Sequence, residues 1–164
     1  MSKNLDQIKF IALDVDGVLT DGRVILGNQE ELKFFDIRDG MGITLAQKSG
    51  IKVGIITGRS SKSVTKRAKE LKIDYVAQGT INKMIALEEF MKSENIKLNN
   101  ICYIGDDIID IPVFRKVGFS ATVFDAPDYV KSEVSYVSKK PGGRGAVREI
   151  IEHILKEKGI LNKT

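Results

Sequence analysis

Short apolar runs that alternate with helical patterns are the feature that most constrains how this chain can fold. IKFIAL, IKVGIIT and NICYIG are strongly apolar, which is typical of strands buried on both faces of a parallel sheet. Between them lie DGMGITLAQKSG, SSKSVTKRAKELK and INKMIALEEFMKSEN, in which apolar residues recur at helical spacing. The alternation predicts an α/β fold: a three-layer, doubly wound, Rossmann-like and mostly parallel sheet with helices on both faces.

The remaining segments complete this pattern, with one interruption. DYVAQ, FSATVF and SYVS predict further strands, whereas DDIIDIPVFRKVG, DYVKSE and the segment from Ala146 to Lys158 predict helices. GRVILGNQEELKFFDI breaks the alternation and predicts a β-hairpin around the turn Gly27-Asn28-Gln29. We therefore expect one domain over residues 1–164, with a hairpin flap at about 22–37 and a C-terminal loop and helix at about 139–158.

Composition excludes several classes of function. The 26 basic and 22 acidic residues are interspersed and Trp is absent, so neither a basic stripe nor a stacking surface for nucleic acid is expected. The single cysteine, Cys102, cannot form an internal disulfide, and no His or Cys stands at zinc-ligand spacing. The chain has no apolar run long enough for a membrane span, and MSKNLDQIKF lacks a signal-peptide core. We expect a cytoplasmic protein with neither a membrane nor a nucleic-acid partner.

Carboxylates follow two of the predicted buried strands. Asp14 and Asp16 come directly after IKFIAL, and Asp106, Asp107 and Asp110 follow NICYIG. In an open parallel sheet the carboxyl ends of the strands meet at one edge, which is where ligands bind. Several carboxylates at one edge repel each other unless a cation lies among them, and hard oxygen ligands in small number suit Mg²⁺. The sequence therefore predicts a magnesium site there.

The neighbouring residues suit phosphate chemistry. Thr57 follows IKVGII and offers a hydroxyl and a backbone N–H just before a helix, while Lys83 can bring a positive charge to the same edge. Asp14 can then attack phosphorus as a nucleophile, and Asp16 can act as general acid and later as general base.

Each of these motifs also has an ordinary structural interpretation. DG pairs are common in turns, so Asp14 and Asp16 alone can be surface carboxylates. Asp106 and Asp107 can cap a helix, Lys83 and Arg67 can lie on solvated helix faces, and the loop around Arg144 can be a flexible connection. His153, in IIEHILKE, is expected to be structural.

Four of these motifs together resemble a known superfamily. DVDGVLTDG, ITGRS, QGTINK and YIGDDIID, which span residues 14 to 110, resemble in order and spacing the successive motifs of the haloacid dehalogenase (HAD) superfamily of phosphohydrolases. The resemblance implies a HAD-type fold, Asp14 as nucleophile and Asp16 as acid/base, with the Asp16 backbone carbonyl also on Mg²⁺. It further implies that Asp106 is a metal ligand. Thr57, Gly58 and Lys83 would bind the phosphate, and Asp107 and Asp110 would support the site. A second aspartate at position 16 points to phosphatase or phosphomutase chemistry.

A narrower resemblance covers residues 8 to 158. DGRVILGNQEELKFFDIRDGMGI and KKPGGRGAVREI resemble segments of the 3-deoxy-D-manno-octulosonate 8-phosphate (KDO 8-phosphate) phosphatase family. This implies a Mg²⁺-dependent homotetramer of lipopolysaccharide biosynthesis, in which a neighbouring subunit helps to close each site over a small phosphorylated sugar acid. Besides Asp16 and Lys83, the implied substrate contacts are Asp36, Ile37, Arg38, Asp39, Gly40, Thr44, Arg59, Arg67 and Arg144. Asp36 and Thr44 stand where some members are expected to have an amide and a basic residue.

Motif spacing leaves no room for a separate cap domain. Only the hairpin and one helix fit between Asp16 and Thr57, and only one helix and one strand fit between Thr57 and Lys83. An uncapped site is poorly shielded from water, so either the substrate is large or a second subunit supplies the lid. The apolar hairpin residues favour a subunit interface. A mutase, which must retain its intermediate, is disfavoured. The alternatives that stay open are a phosphatase for another sugar-acid phosphate, such as an N-acylneuraminate phosphate, and a non-catalytic assembly or regulatory module.

Overall fold

A parallel sheet forms the centre of the computed structural model, which describes residues 5–27 and 31–161. Within these residues the sheet has six strands in the order β5-β4-β1-β6-β7-β8, and every neighbouring pair is parallel. A separate antiparallel pair, β2 and β3, forms the hairpin. The strands are β1 Phe10–Leu13, β2 Ile25–Leu26, β3 Glu31–Leu32, β4 Lys52–Ile56, β5 Tyr75–Ala77, β6 Ile101–Ile104, β7 Phe119–Thr122 and β8 Tyr136–Val137.

Helices α1 to α5 lie between strands, as the alternation predicts, and α6 follows the last strand. Their bounds are α1 Ile37–Lys48, α2 Lys62–Glu70, α3 Lys83–Glu94, α4 Ile111–Phe114, α5 Asp128–Lys131 and α6 Ala146–Glu157. Helix α1 packs against α6, and α3 packs against α4. None of the helices in the described part of the chain is long and apolar enough to cross a membrane.

Strand β1 lies at the centre because all four of its side chains are apolar. Successive side chains of a strand point to opposite faces, and Phe10, Ile11, Ala12 and Leu13 are all fully buried, so helices must cover both faces of the sheet. On one face the Phe10 ring stacks on Phe90 of α3, with the ring centroids 3.8 Å apart. The expected α/β fold with a mostly parallel sheet is confirmed.

The register of the sheet aligns the ends of its central strands. Leu13 pairs with Ile55 of β4 on one side and with Ile104 of β6 on the other. The backbone N–H of Asp14 continues the ladder by donating to the Ile104 carbonyl at 2.9 Å. The residues that follow β1, β4 and β6 therefore leave the sheet at one edge, where the sequence places its polar residues.

Two elements differ from the sequence-based expectation. The sequence predicts one helix over residues 106–118, but this segment forms a 3₁₀ turn at Ile108–Asp110 and the short helix α4. The long helix does not form because the carboxylate of Asp110 turns back to accept the backbone N–H groups of Asp106 and Asp107. The hairpin is confirmed only as the two short strands β2 and β3, since part of its predicted turn, Asn28 and Gln29, lies outside the described residues.

Asp39 joins helix α1 to the start of helix α6. Its two carboxylate oxygens accept the backbone N–H groups of Gly145, at 3.2 Å, and Arg148, at 2.8 Å. Since the first N–H groups of a helix have no partner within the helix, this carboxylate caps α6 from a neighbouring element. Burial raises the pKa of Asp39 to about 6, although these backbone donors act in the opposite direction.

The raised pKa of Asp39 predicts how its contribution to stability changes with pH. The folded chain holds this proton up to a higher pH than the unfolded chain, so the free energy of unfolding falls as pH rises from about 4 to about 6. Asp39→Asn carries no such charge, so the stability of the wild type relative to this variant should fall by about 1–2 kcal/mol between about pH 4.5 and 7.5. Urea denaturation of both proteins across this range checks the prediction, and a constant difference would contradict it.

Candidate active site

Asp14 lies at the junction of β1, β6 and α3, where it is almost fully buried. One of its oxygens accepts the backbone N–H of Val15 at 2.6 Å, and the other accepts the ammonium group of Lys83 at 2.5 Å. Lys83 is the first residue of α3, and its side chain lies beneath the carboxylates, with 2% of the residue exposed. Burial lowers the pKa of Lys83, but Asp14 and Asp110 outweigh it, so the pKa lies above its usual value and the group is charged.

Asp110 is the second partner of Lys83 and is fully buried. Its Oδ1 accepts the Lys83 ammonium and the Tyr103 hydroxyl, both at 2.6 Å. Its Oδ2 accepts the backbone N–H groups of Asp106, at 2.9 Å, and Asp107, at 3.1 Å. These four donors saturate both oxygens, so Asp110 shapes the loop that carries Asp106.

Asp106 points toward Gly17, in the loop that follows β1, and its carboxylate has no ion pair among the described residues. An added Cβ on Gly17, whose φ is +84°, would fall 1.9 Å from the Asp106 Oδ2, so only glycine leaves room for this carboxylate. Burial, followed by the charges of Asp14 and Asp110, raises the pKa of Asp106 to about 8. The pKa of Asp14 is likewise raised to about 6, mainly by burial.

This arrangement of charges fits a divalent cation. Oxygens of Asp14, Asp106 and Asp110 lie within 4.8 Å of one another, and Lys83 pairs with Asp14 and Asp110. Carboxylate oxygens are the ligands that Mg²⁺ prefers. Burial and the charges of Asp14 and Asp110 raise the pKa of Asp106, and a bound cation would favour its ionised form. Because the hydrogen bonds of Asp110 are saturated, Asp14 and Asp106 are the side chains that can bind the ion.

Asp16 also lies in the loop that follows β1 and is only partly buried. Lys33, which directly follows β3, donates to its Oδ1 at 2.5 Å. Arg59 approaches its Oδ2, with the Nε atom 3.7 Å away. The sequence analysis did not identify Lys33. Strand alternation in EELKFF could have indicated it, because Glu31 and Lys33 share the inward face while Leu32 and Phe34 point outward.

A cavity of about 150 Å³ lies above the carboxylates and brings several predicted residues together. It is lined by Asp14, Asp16, Thr57, Gly58, Arg59, Asp106, Asp107 and Ile109. One detail of the prediction for Thr57 is wrong: its backbone N–H donates to the Ala77 carbonyl at 2.9 Å, and helix α2 begins only at Lys62. The hydroxyl is what Thr57 can offer to a ligand.

The other predicted substrate contacts lie outside this cavity. Arg67 lines a second cavity and Asp36 and Arg144 line a third, each of about 400 Å³, on the two sides of the Phe34–Phe35 segment. Asp36 caps α1, whereas the Asp39 carboxylate is occupied by α6. The remaining positions differ in their surroundings: Ile37 and Arg38 are exposed, Gly40 is buried against Arg67, and the Thr44 hydroxyl donates to the Gly40 carbonyl.

Comparisons with known proteins agree with this geometry. A family model described as haloacid dehalogenase-like hydrolase matches residues 75–151. The 3-deoxy-D-manno-octulosonate 8-phosphate phosphatase KdsC of Escherichia coli K12 is 45% identical over 159 residues, which cover 96% of this chain and 85% of the relative. The chain belongs to the KDO 8-phosphate phosphatase family of HAD-like hydrolases.

Solved structures of family members share the whole architecture. The KDO 8-phosphate phosphatase of Yersinia pestis superposes with a TM-score of 0.95 at 41% identity, covering 98% of this chain and 88% of that chain. The Moraxella catarrhalis enzyme, in complex with a magnesium ion, a phosphate ion and KDO, gives a TM-score of 0.92 at 41% identity, with 96% and 91% covered. The cobalt-bound Haemophilus influenzae phosphatase gives 0.92 at 39% identity, with 95% and 92% covered.

The buried position of Lys83 predicts a large effect on stability. Lys83→Met leaves Asp14 and Asp110 buried without their shared cation, which should lower the free energy of unfolding by about 3–5 kcal/mol. Lys92→Met, on an exposed face of the same helix, should change it by less than about 0.5 kcal/mol. Urea denaturation without divalent ions compares the two variants, and equal values would contradict the role of Lys83 as the buried counter-ion.

Proposed function

We propose that this protein is a Mg²⁺-dependent phosphatase that hydrolyses KDO 8-phosphate to KDO and phosphate. The observation that carries the proposal is the cavity in which Asp14, Asp16 and Asp106 lie together beside Thr57 and Gly58. Family membership supports the substrate, because the E. coli relative is a KDO 8-phosphate phosphatase and the M. catarrhalis relative binds KDO and phosphate. The chain, residues 1–164, would then be a single hydrolase domain that acts in lipopolysaccharide biosynthesis.

In the first step a carboxylate oxygen of Asp14 attacks the phosphorus atom. The bond from phosphorus to the sugar oxygen breaks, and Asp16 donates a proton to that oxygen, so that KDO leaves as an alcohol. In the second step water attacks the aspartyl-phosphate, Asp16 takes the proton of that water, and inorganic phosphate leaves the restored Asp14 carboxylate. Asp16 therefore ends the cycle in its initial protonation state.

The carboxylates of Asp14 and Asp106, with the backbone carbonyl of Asp16, would hold Mg²⁺. When bound, the ion supplies positive charge that offsets the repulsion between the carboxylates and the phosphoryl oxygens. The Thr57 hydroxyl and the Gly58 backbone contact the phosphoryl group from the other side of the cavity. Lys83 holds the attacking carboxylate in place and keeps a positive charge beneath it.

A homotetramer explains where the remaining substrate contacts come from. Outward-facing hairpin residues are strongly exposed, with Leu26 at 84%, Phe34 at 71% and the adjoining Ile37 at 83%. Contiguous apolar exposure of this kind marks an interface, and packing four hairpins together would bury it. A neighbouring copy would then bring residues of the segment 36–44, with Arg67 or Arg144, toward each open cavity.

The proposed reaction predicts phosphate release that requires both a divalent ion and Asp14. With Mg²⁺ the chain should release phosphate from KDO 8-phosphate faster than from N-acylneuraminate 9-phosphate or simple sugar phosphates, and EDTA should abolish the release. Asp14→Asn should lower kcat by roughly 10⁴-fold or more, whereas Asp6→Asn, at an exposed carboxylate, should not. A higher kcat/KM on another sugar-acid phosphate would reassign the substrate, and an active Asp14→Asn variant would contradict the mechanism.

Light scattering coupled to size-exclusion chromatography tests the assembly. The wild type should elute at four times the 18.2 kDa mass of the chain. Phe34→Glu places charges where hairpins are expected to meet and should give smaller species with a raised KM for KDO 8-phosphate. Phe124→Glu alters an exposed aromatic residue outside the hairpin and should leave the tetramer intact. A wild type that elutes as a monomer would contradict this part of the proposal.

A further inference from the structure

Lys33 is a buried lysine that the mechanism described above does not use. Its side chain is 1% exposed, although lysine side chains are almost never fully buried unless they are paired. Its ammonium group lies 2.5 Å from Oδ1 of Asp16 and 2.7 Å from Oε1 of Glu31. The hairpin therefore brings the buried ammonium group of Lys33 into contact with Asp16, the proposed acid/base residue.

Lys33 belongs to a closed set of charged contacts between the hairpin and the cavity. The second oxygen of Glu31 pairs with the Arg59 guanidinium, and Arg59 Nε lies 3.7 Å from the Asp16 Oδ2. The Glu31 backbone carbonyl accepts the Ser63 hydroxyl of helix α2 at 2.8 Å. Glu31 thus links Lys33 and Arg59 to helix α2.

The two oxygens of Asp16 have different surroundings. Oδ1 is held by the short hydrogen bond from Lys33, whereas Arg59 Nε is beyond hydrogen-bond distance of Oδ2. Asp16 is partly exposed and lies in a loop, so without Lys33 its carboxylate could rotate among several positions. A proton donor must lie within hydrogen-bond distance of the leaving oxygen, and such placement governs how effective it is.

We propose that Lys33 is a positioning residue that holds Asp16 by Oδ1, so that Oδ2 faces the reacting phosphate. The inference rests on the proposed phosphatase function and deepens it. In the first step the proton on Oδ2 goes to the sugar oxygen as the phosphorus–oxygen bond breaks. In the second step Oδ2 takes a proton from the water that attacks the aspartyl-phosphate. Lys33 keeps its own protons throughout.

Leaving groups of different basicity separate this role from a general effect on folding. An alkyl phosphate such as KDO 8-phosphate needs a proton on its leaving oxygen, whereas p-nitrophenyl phosphate releases a stable phenolate without one. In Lys33→Met, kcat for KDO 8-phosphate should fall by roughly 10- to 100-fold. With p-nitrophenyl phosphate the first turnover should stay within about threefold of the wild-type rate, and a burst of one nitrophenolate per active site should precede slow hydrolysis of the phosphoenzyme.

Three further variants complete the comparison. Lys33→Arg keeps a cationic donor and should recover most of the lost kcat, whereas Lys69→Met, at an exposed lysine of α2, should behave as the wild type. Asp16→Asn should show the same dependence on the leaving group as Lys33→Met. Because Lys33 acts through Asp16, the double variant Asp16→Asn/Lys33→Met should be no slower than Asp16→Asn alone.

The outcomes divide clearly. Equal slowing of the first turnover of both substrates in Lys33→Met, or a burst well below one nitrophenolate per active site, overturns the role of Lys33 while leaving the phosphatase function intact. An unchanged kcat for KDO 8-phosphate, or a double variant slower than Asp16→Asn alone, does the same. A wild type that releases no phosphate from either substrate overturns both proposals. If Lys33→Met does not fold, Lys33→Gln, which keeps a neutral donor, is subjected to the same comparison.

Discussion

The ammonium group of Lys83, held between the carboxylates of Asp14 and Asp110, is the interaction on which the rest of the structure depends. It joins the ends of β1 and β6 to the first turn of α3, three elements that are far apart in the sequence. A buried pair of carboxylates would be strongly unfavourable without this cation. The same contact that stabilises the junction also fixes the oxygen atoms of the proposed nucleophile, so stability and chemistry share one group.

The positive charge at this junction does not neutralise all of the carboxylates around it. Lys83 is shared by two carboxylates, and the pKa of Asp106 is raised to about 8 by burial and by the charges of Asp14 and Asp110, which Lys83 offsets only in part. A binding site for a divalent ion requires this kind of imbalance, since the free energy of ion binding comes from charge that the protein has not neutralised itself. Family members that bind magnesium or cobalt fit this account.

Much of the fold and of the central site follows from the sequence because local patterns fix them. The fully apolar FIAL is typical of a doubly buried strand, and parallel pairing then carries Asp14 and Asp106 to the same edge of the sheet. Tertiary contacts fixed the rest. Hydrogen bonds to the Asp110 carboxylate stabilise a 3₁₀ turn where the sequence predicts a helix. The backbone N–H of Thr57 donates to the Ala77 carbonyl and is therefore not available to a ligand. Strand alternation indicates that Lys33 faces inward, but its contact with Asp16 depends on how the hairpin docks on the sheet.

A crystal structure of the protein with Mg²⁺ and beryllium fluoride tests the central claim most directly, because beryllium fluoride mimics a phosphoryl group on an aspartate. We predict beryllium fluoride bonded to a carboxylate oxygen of Asp14 and one Mg²⁺ ion bound by Asp14, Asp106 and the Asp16 carbonyl, with Lys83 still against Asp14. Beryllium fluoride on a different carboxylate, or Mg²⁺ bound away from Asp106, would contradict the account.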